Sequence, residues 1–375
     1  MYFLIDASRA NNEKKTGVEW YAYFVIQELK KIIPSDWQVV LYTREKLKGE
    51  LGVLPSNWQE KILAWPPKRL WTQLRLSYEI YHFKKQHLEE EIILFVPAHV
   101  LPLVCPAKTL ITIHDLGGVR FAKGYSFFER FYTYFATWFA LKKGQVIVPS
   151  QFVFQELSYF FKENSHKIKV VYNAFDKQSF QLSQKNQSAS VIKKYGLTGN
   201  YFFSIGRLEE KKNTVGIIQA FNFFRQKSTQ SWQLVLLGKP GFGFEKVTQE
   251  IANSPFAGDI IIPGWVEQGD VPFLMAGAQA LLLPSFYEGF GIPILEAFAM
   301  GVPVITSNLT SMPEVSGGAA LLVNPYKPQE ISKAMYLIST QENLVKALVE
   351  KGLNRAQEFD WRKTAQDIFK VAESL

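Results

Sequence analysis

Two glutamates, Glu288 and Glu296, stand eight positions apart in SFYEGFGIPILEAFAMG, residues 285–301. A carboxylate accepts two hydroxyl hydrogen bonds, as a sugar or a ribose offers them. The residues between them predict a bend and then a helix. Gly289 and Gly291 let backbone come close to a ligand. Pro293 fits a helix start, where its missing N–H is not needed. A strand ending at Ser285 then aims Glu288 outward, and Glu296 falls in the first turn or so of the helix. The free N–H groups and positive end of that helix suit a phosphate. The competing structural reading makes Glu296 a partner of the helix dipole and Glu288 a solvated loop residue.

Three further stretches carry chemistry. In SIGRLEEKKN (204–213) a strand ends at Gly206, and Arg207 and Lys212 follow at a spacing of five. Both can face one anion, the arginine as a fork and the lysine as a point charge; the bland reading is a basic turn. In ITIHDLGG (111–118) His114 ends a buried strand. There it can donate to a substrate oxygen or take part in proton transfer, or simply pair with backbone. In KKTGVEWYAYF (14–24) Gly17 precedes a helix, a second phosphate-facing turn. No D-x-D, H-E-x-x-H or G-x-x-x-x-G-K-[ST] pattern occurs, so neither a dedicated metal site nor a P-loop has support. His82, His87, His99 and His166 lack ligand spacing and read as structural or surface groups.

The elements that must hold these residues alternate. Aliphatic runs at 2–6, 38–42, 91–96, 109–114, 145–150 and 168–173 predict strands in the first half. Those at 201–206, 232–238, 259–264, 280–285, 303–308 and 320–323 do so in the second. Runs without clean alternation suggest strands buried on both faces, as in parallel sheets. Helical stretches separate them, clearest at Val18–Lys31, Phe127–Lys142, Thr214–Lys227 and Ile292–Met300. The pattern predicts an α/β chain with two doubly wound domains, residues 1–175 and 176–359, facing across a cleft. The polar QLSQKNQSAS (181–190) reads as their connection. An amphipathic helix at about 360–375 either caps the second domain or packs back on the first.

The totals set the class. The chain has 375 residues, enough for two domains, and 47% of them are hydrophobic, enough for two cores. Forty-two lysines and arginines against 34 acids give +8, an excess that favours nucleic acid, anionic lipid or a phosphorylated small molecule. Cys105 stands alone, which excludes an internal disulfide and fits a reducing compartment. MYFLIDAS meets Asp6 too early for a signal peptide. The longest uncharged aromatic run, Phe131–Leu141, falls well short of the roughly 20 residues that span a bilayer. A cytoplasmic protein without a spanning helix is expected.

Taken together, EGFGIPILE (288–296), GRLEEKKN (206–213), HDL (114–116), TGVEWY (16–21), VPSQF (148–152) and YNAFD (172–176) resemble the retaining glycosyltransferases of family 4, over nearly the whole chain. LFVPAHVLPL and LLGKPGFGFE are similar to the bacterial mannosyltransferase-like branch. The resemblance implies the GT-B fold, two Rossmann-like domains, with a nucleotide-diphosphate sugar held mainly by the second. Glu296 would bind the ribose, and Arg207 and Lys212 the diphosphate. Glu288, next to Gly289, and the backbone of Phe290, Gly291 and Ile292 would hold the sugar. Trp265 and Val266 would lie by the base. His114 would touch the sugar near the leaving phosphate, and Gly17 would admit the phosphate. One departure is the single Gly17 where two adjacent glycines are usual.

By the same resemblance the donor is GDP-mannose first and a UDP-sugar second, the acceptor a glycan, lipid-linked or small molecule, and no metal or other cofactor takes part. The resemblance implies retention by front-face attack, and no second carboxylate is evident to support a double displacement. A nucleotide-sugar epimerase, a glycan phosphorylase or a non-catalytic sugar-nucleotide-binding subunit shares the architecture. Residues 66–85 and 125–144 combine bases with aromatics and either dock on anionic membrane or turn their aromatics into the core. No nucleic-acid module is evident.

Overall fold

The computed structural model describes residues 1–65, 70–121, 124–182 and 188–375. They divide into two units. One holds Met1–Arg120, Ser126–Asn173 and Asp360–Leu375; the other holds Phe121–Tyr125 and Ala174–Phe359. Residues 183–187 of the expected connection lie outside the described residues.

The first unit is built on seven strands: β1 (Tyr2–Asp6), β2 (Gln38–Thr43), β3 (Trp58–Ile62), β4 (Ile92–Val96), β5 (Lys108–Thr112), β6 (Gln145–Val148) and β7 (Ile168–Val170). They lie in the order β3-β2-β1-β4-β5-β6-β7, and every pairing is parallel. Leu4 sits between Val40 and Leu94, so the middle of the sheet is a layer of branched aliphatics. Such residues fit a pleated surface covered on both faces.

The second unit repeats the plan with six: β8 (Asn200–Ile205), β9 (Trp232–Leu237), β10 (Ile260–Ile261), β11 (Ala280–Leu283), β12 (Val304–Ser307) and β13 (Leu321–Val323). Their order is β10-β9-β8-β11-β12-β13, again all parallel. In each sheet the winding reverses beside the first strand, between β1 and β4 and between β8 and β11. Ligands of such sheets bind beyond the carboxyl ends of the strands at that switch point.

Two edges differ from the sequence reading. WQEKI forms β3, which no aliphatic run announces, because an edge strand leaves Gln59, Lys61 and Ile62 toward solvent. The run at 259–264 shrinks to the two residues of β10 before Pro263, which has no N–H to give a ladder.

The four expected helices form as Gly17–Ile32, Phe127–Lys143, Thr214–Arg225 and Ile292–Ala299. The last helix, Trp361–Glu373, belongs to the first unit. Asp360 caps its start by accepting from the Arg362 N–H at 2.8 Å. Trp361 stacks on Phe24 at 5.6 Å, and the Thr364 hydroxyl donates to the Tyr172 carbonyl at 2.8 Å.

The Phe127–Lys143 helix buries only Thr137, Ala140 and Leu141. Phe127 is 83% exposed, and Phe128, Phe131, Tyr134, Phe135 and Trp138 also face solvent, so its aromatics are not a core face. In the stretch 66–85, residues 66–69 lie outside the described residues. Of the remainder, Trp71, Leu76, Ile80 and Phe83 do turn into the core.

Candidate active site

In the second unit the sequence-predicted residues gather beyond β8 and β11. The exits of β8 and β9 run against each other: a Cβ at Gly238 would lie 1.6 Å from the Gly206 carbonyl oxygen, so no side chain fits there. The loop after β8 closes with a short turn, Glu210–Lys212, and Asn213 in the left-handed region at φ 58°. The buried Asn213 amide then donates to the carbonyls of Pro284 (3.1 Å) and Pro325 (2.7 Å). Phe286 N–H donates to the Lys211 carbonyl at 3.0 Å. These bonds hold the two strand exits at a fixed spacing and bring Lys212 to Glu288.

Lys212 Nζ pairs with Glu288 Oε1. The same oxygen accepts from the Ser285 hydroxyl at 2.9 Å. Glu288 is only 8% exposed, so it is not a solvated loop residue. The Ser311 hydroxyl contacts the carbonyls of Glu288 and Phe290, both at 3.0 Å, and fixes the bend. Arg207 is not drawn to the same group. Its side chain is 69% exposed and lies 3.8 Å from Glu209. It has room to move toward an anion, whereas Lys212 is already engaged.

Gly291 precedes the Ile292–Ala299 helix at φ +104°, a backbone region that L side chains rarely adopt. The helix starts at Ile292, where the sequence places it, and Glu296 is its fifth residue. It lies in the second turn, not the first, which also removes the helix-dipole reading, since that effect fades beyond the first turn. Burial pushes the Glu296 carboxyl up to about 8, and the nearby Asp176 charge adds to it. Among the described residues no protein group hydrogen-bonds this carboxyl. Phe290 is buried edge-on against Phe359 at 5.9 Å, which leaves only its backbone for a ligand, and the adjacent Gly289 is buried with it. Trp265 is exposed, with the Lys239 ammonium 5.9 Å from its ring, while the neighbouring Val266 is buried.

The first unit places His114 two residues beyond β5, at 9% exposure. Its Nε2 lies 3.3 Å from the Pro97 carbonyl, an acceptor, so Nε2 carries the proton. Tyr21 packs edge-on at 4.6 Å and His99 at 5.2 Å. Burial, then the like charge of His99, pulls His114 down to about 3. The ring is therefore neutral at physiological pH and suited to hydrogen bonding, not to holding a second proton. Gly17 opens the Gly17–Ile32 helix, with open space where a Cβ would stand. Glu19 folds back over that end, accepting from Thr16 N–H at 3.1 Å and from Arg9 at 3.3 Å.

The sequence reading assigns no role to Asn213, Ser285, Ser311 or Asp176. Asn213, Ser285 and Asp176 lie inside stretches already singled out. Apart from the local Ser285–Glu288 bond, their work is bonding or repulsion across long sequence separations, which spacing does not display.

Two doubly wound, all-parallel sheet units of this order define the GT-B class, and solved structures share the architecture. HepE of Anabaena, in complex with UDP-glucose, superposes with a TM-score of 0.73 at 17% identity, covering 100% of this chain and 99% of that one. WaaG, a glycosyltransferase involved in lipopolysaccharide biosynthesis, gives 0.73 at 15% identity, covering 100% and 99%. Identities this low speak for the fold alone. Within it, residues 188–355, in the second unit, match the family model of glycosyl transferases group 1. The O-antigen chain mannosyltransferase B of Escherichia coli is 38% identical over 181 residues, 48% of this chain and 47% of that one. The match thus spans about half the length of that relative.

Proposed function

We propose that the protein transfers a hexosyl group, mannosyl first, from a nucleotide-diphosphate sugar to a glycan, lipid-linked or small-molecule acceptor. One observation carries this reading: beyond β8 and β11, in a glycosyl transferases group 1 domain, the Lys212–Glu288 pair accompanies a Glu296 carboxyl that no protein donor among the described residues satisfies. A half-buried acceptor of that kind suits the paired hydroxyls of a ribose. Glu288, already fixed by Ser285 and Lys212, suits the transferred sugar.

The chemistry asks for charge stabilisation. As the anomeric bond breaks, negative charge grows on the departing diphosphate and positive charge on the sugar. Arg207 and Lys212 answer the first, aided by the start of the Ile292–Ala299 helix. The proposed mechanism uses no metal and no other cofactor. Retention follows from attack on the face the phosphate leaves, with that phosphate taking the acceptor proton. His114, neutral, offers a hydrogen bond to the sugar and no acid.

GDP-mannose is the proposed donor, supported by the name of the mannosyltransferase relative; a UDP-sugar is the second candidate, supported by the ligand of HepE. The transferase names do not favour the epimerase or binding-subunit readings. The aromatic face of the Phe127–Lys143 helix, with exposed Arg130, Lys142 and Lys143, is proposed to rest on anionic lipid at the cytoplasmic face of a membrane. Among the described residues no helix is long and apolar enough to cross one.

A panel of nucleotide sugars, scored by thermal shift and by release of nucleoside diphosphate on adding acceptors, tests the proposal. GDP-mannose should stabilise the protein and be consumed. Binding of no member of the panel would refute the reading.

A further inference from the structure

The first unit has its own switch point, between β1 and β4, and a cavity of about 340 Å³ opens there. That volume falls in the range of small-molecule sites, about 300–1,000 Å³. Ser8, Arg9 and Asn12 reach it from the loop after β1, and Arg44 from the residue after β2. Trp71 and Gln73 come from one side, and Tyr132 from the Phe127–Lys143 helix. Every one of these belongs to the first unit.

The polar lining is rich in donors. It includes two guanidinium groups and no carboxylate. Arg44 lies over the Trp71 ring at 5.2 Å, and Trp71 is itself locked by an indole N–H bond to the Leu63 carbonyl at 2.8 Å. Among the described residues the buried Arg44 Nε has no acceptor. A buried charged donor left unmade costs more than a neutral one, so this group calls for an anion. Tyr132 accepts from the Gln73 amide at 2.6 Å, which leaves its own O–H proton to give. Arg9 is shared with Glu19 at 3.3 Å, and Asp6 lies beneath the loop, its Oδ1 accepting from Ser8 N–H at 3.0 Å. These two carboxylates temper the field of the pocket but do not line it.

We propose that this pocket binds a phosphoryl group, with Arg44 as the principal donor and Tyr132 as a second. On the reading of the protein as a sugar transferase, the phosphoryl group belongs to the acceptor. It arrives either on a free sugar phosphate or within a lipid-linked diphosphate.

Isothermal titration of the full chain tests this with three probes: a hexose phosphate, a short-chain prenyl diphosphate bearing one sugar, and the unphosphorylated hexose. Binding of both phosphorylated probes, or of either one alone, supports the proposal and identifies the source; binding of neither overturns it. Arg44→Gln should weaken binding at least ~10-fold and Tyr132→Phe about 3-fold, as expected for charged and neutral hydrogen bonds. Equal binding of the neutral hexose overturns the proposal. So does wild-type binding by Arg44→Gln, or loss of binding in Lys212→Ala with retention in Arg44→Gln. Should Arg44→Gln fail to fold, the exposed Tyr132→Phe decides, and unchanged binding by it overturns the assignment. Arg44-dependent binding without any turnover of nucleotide sugar would instead sink the transferase reading and leave the pocket standing.

Discussion

Replacing Glu296 with glutamine isolates the cost of its burial. Its carboxyl is held up to about 8, against an ordinary value of 4.5. A tenfold change in proton affinity is worth about 1.36 kcal/mol. From about pH 4.5 to about pH 8 the folded protein keeps a proton that the unfolded chain has released. Stability therefore falls as pH rises through that window. The accumulated penalty is roughly 1 kcal/mol at about pH 5, about 3 kcal/mol at about pH 7 and about 5 kcal/mol above about pH 8. Glutamine stays neutral throughout and escapes it. Urea unfolding of both proteins from about pH 5 to about pH 9 should show the variant gaining on wild type by about 1.4 kcal/mol per pH step of one, then levelling. A stability difference that does not change with pH would refute the argument.

The same carboxyl links binding to protons. Ribose hydroxyls that donate to it favour its ionised form, so donor binding near neutral pH should release protons. Titrations in buffers of different ionisation enthalpy measure that release. Zero proton exchange would remove Glu296 from the donor site even if its stability behaviour matched.

Lys212→Met should destabilise by about 2–4 kcal/mol, because it strands a nearly buried Glu288 carboxylate. Adding Glu288→Gln should recover most of that stability in urea unfolding but none of the transfer activity. His114 should show no titration by NMR between about pH 5 and about pH 9. Its depressed pKa makes its contribution fully present above about pH 6.5 and lost as pH falls toward about 3. Changing Phe128, Phe131 and Phe135 to serine should abolish flotation with anionic liposomes and leave thermal stability within a few degrees, since all three are exposed.

The central strands are legible in the sequence because burial on both faces leaves an unbroken aliphatic run. β3 is not, because WQEKI answers to solvent on an outer edge. The start of the Glu296 helix at Ile292 is legible from Pro293, but the left-handed Gly291 that fixes that start is not, since sequence permits this conformation without demanding it. The engagement of Glu288 is hidden for a different reason. Its charge partner, Lys212, lies 76 residues upstream and reaches it only because Asn213 ties the two strand exits together. The Phe127–Lys143 helix shows the remaining gap. Aromatic content says nothing of which face is covered, and here Ala140 and Leu141 are buried while most of the rings, Phe139 apart, face solvent.

The two sheets share one winding order yet end in opposite chemistry. Beyond β8 and β11 the group left unsatisfied is an acceptor, the Glu296 carboxyl. Beyond β1 and β4 it is a donor, the Arg44 Nε. A switch point supplies only position; what binds there depends on which polar group the surrounding chain leaves unpaired. A carboxyl left without a protein partner suits hydroxyls, while a guanidinium over an indole suits a phosphoryl group; in the second unit the phosphates of the proposed donor fall instead to Arg207 and Lys212. The preference of each unit is therefore set by one side chain that the surrounding chain leaves without a partner, and Arg44→Gln should weaken phosphoryl binding in the first unit without touching donor binding in the second.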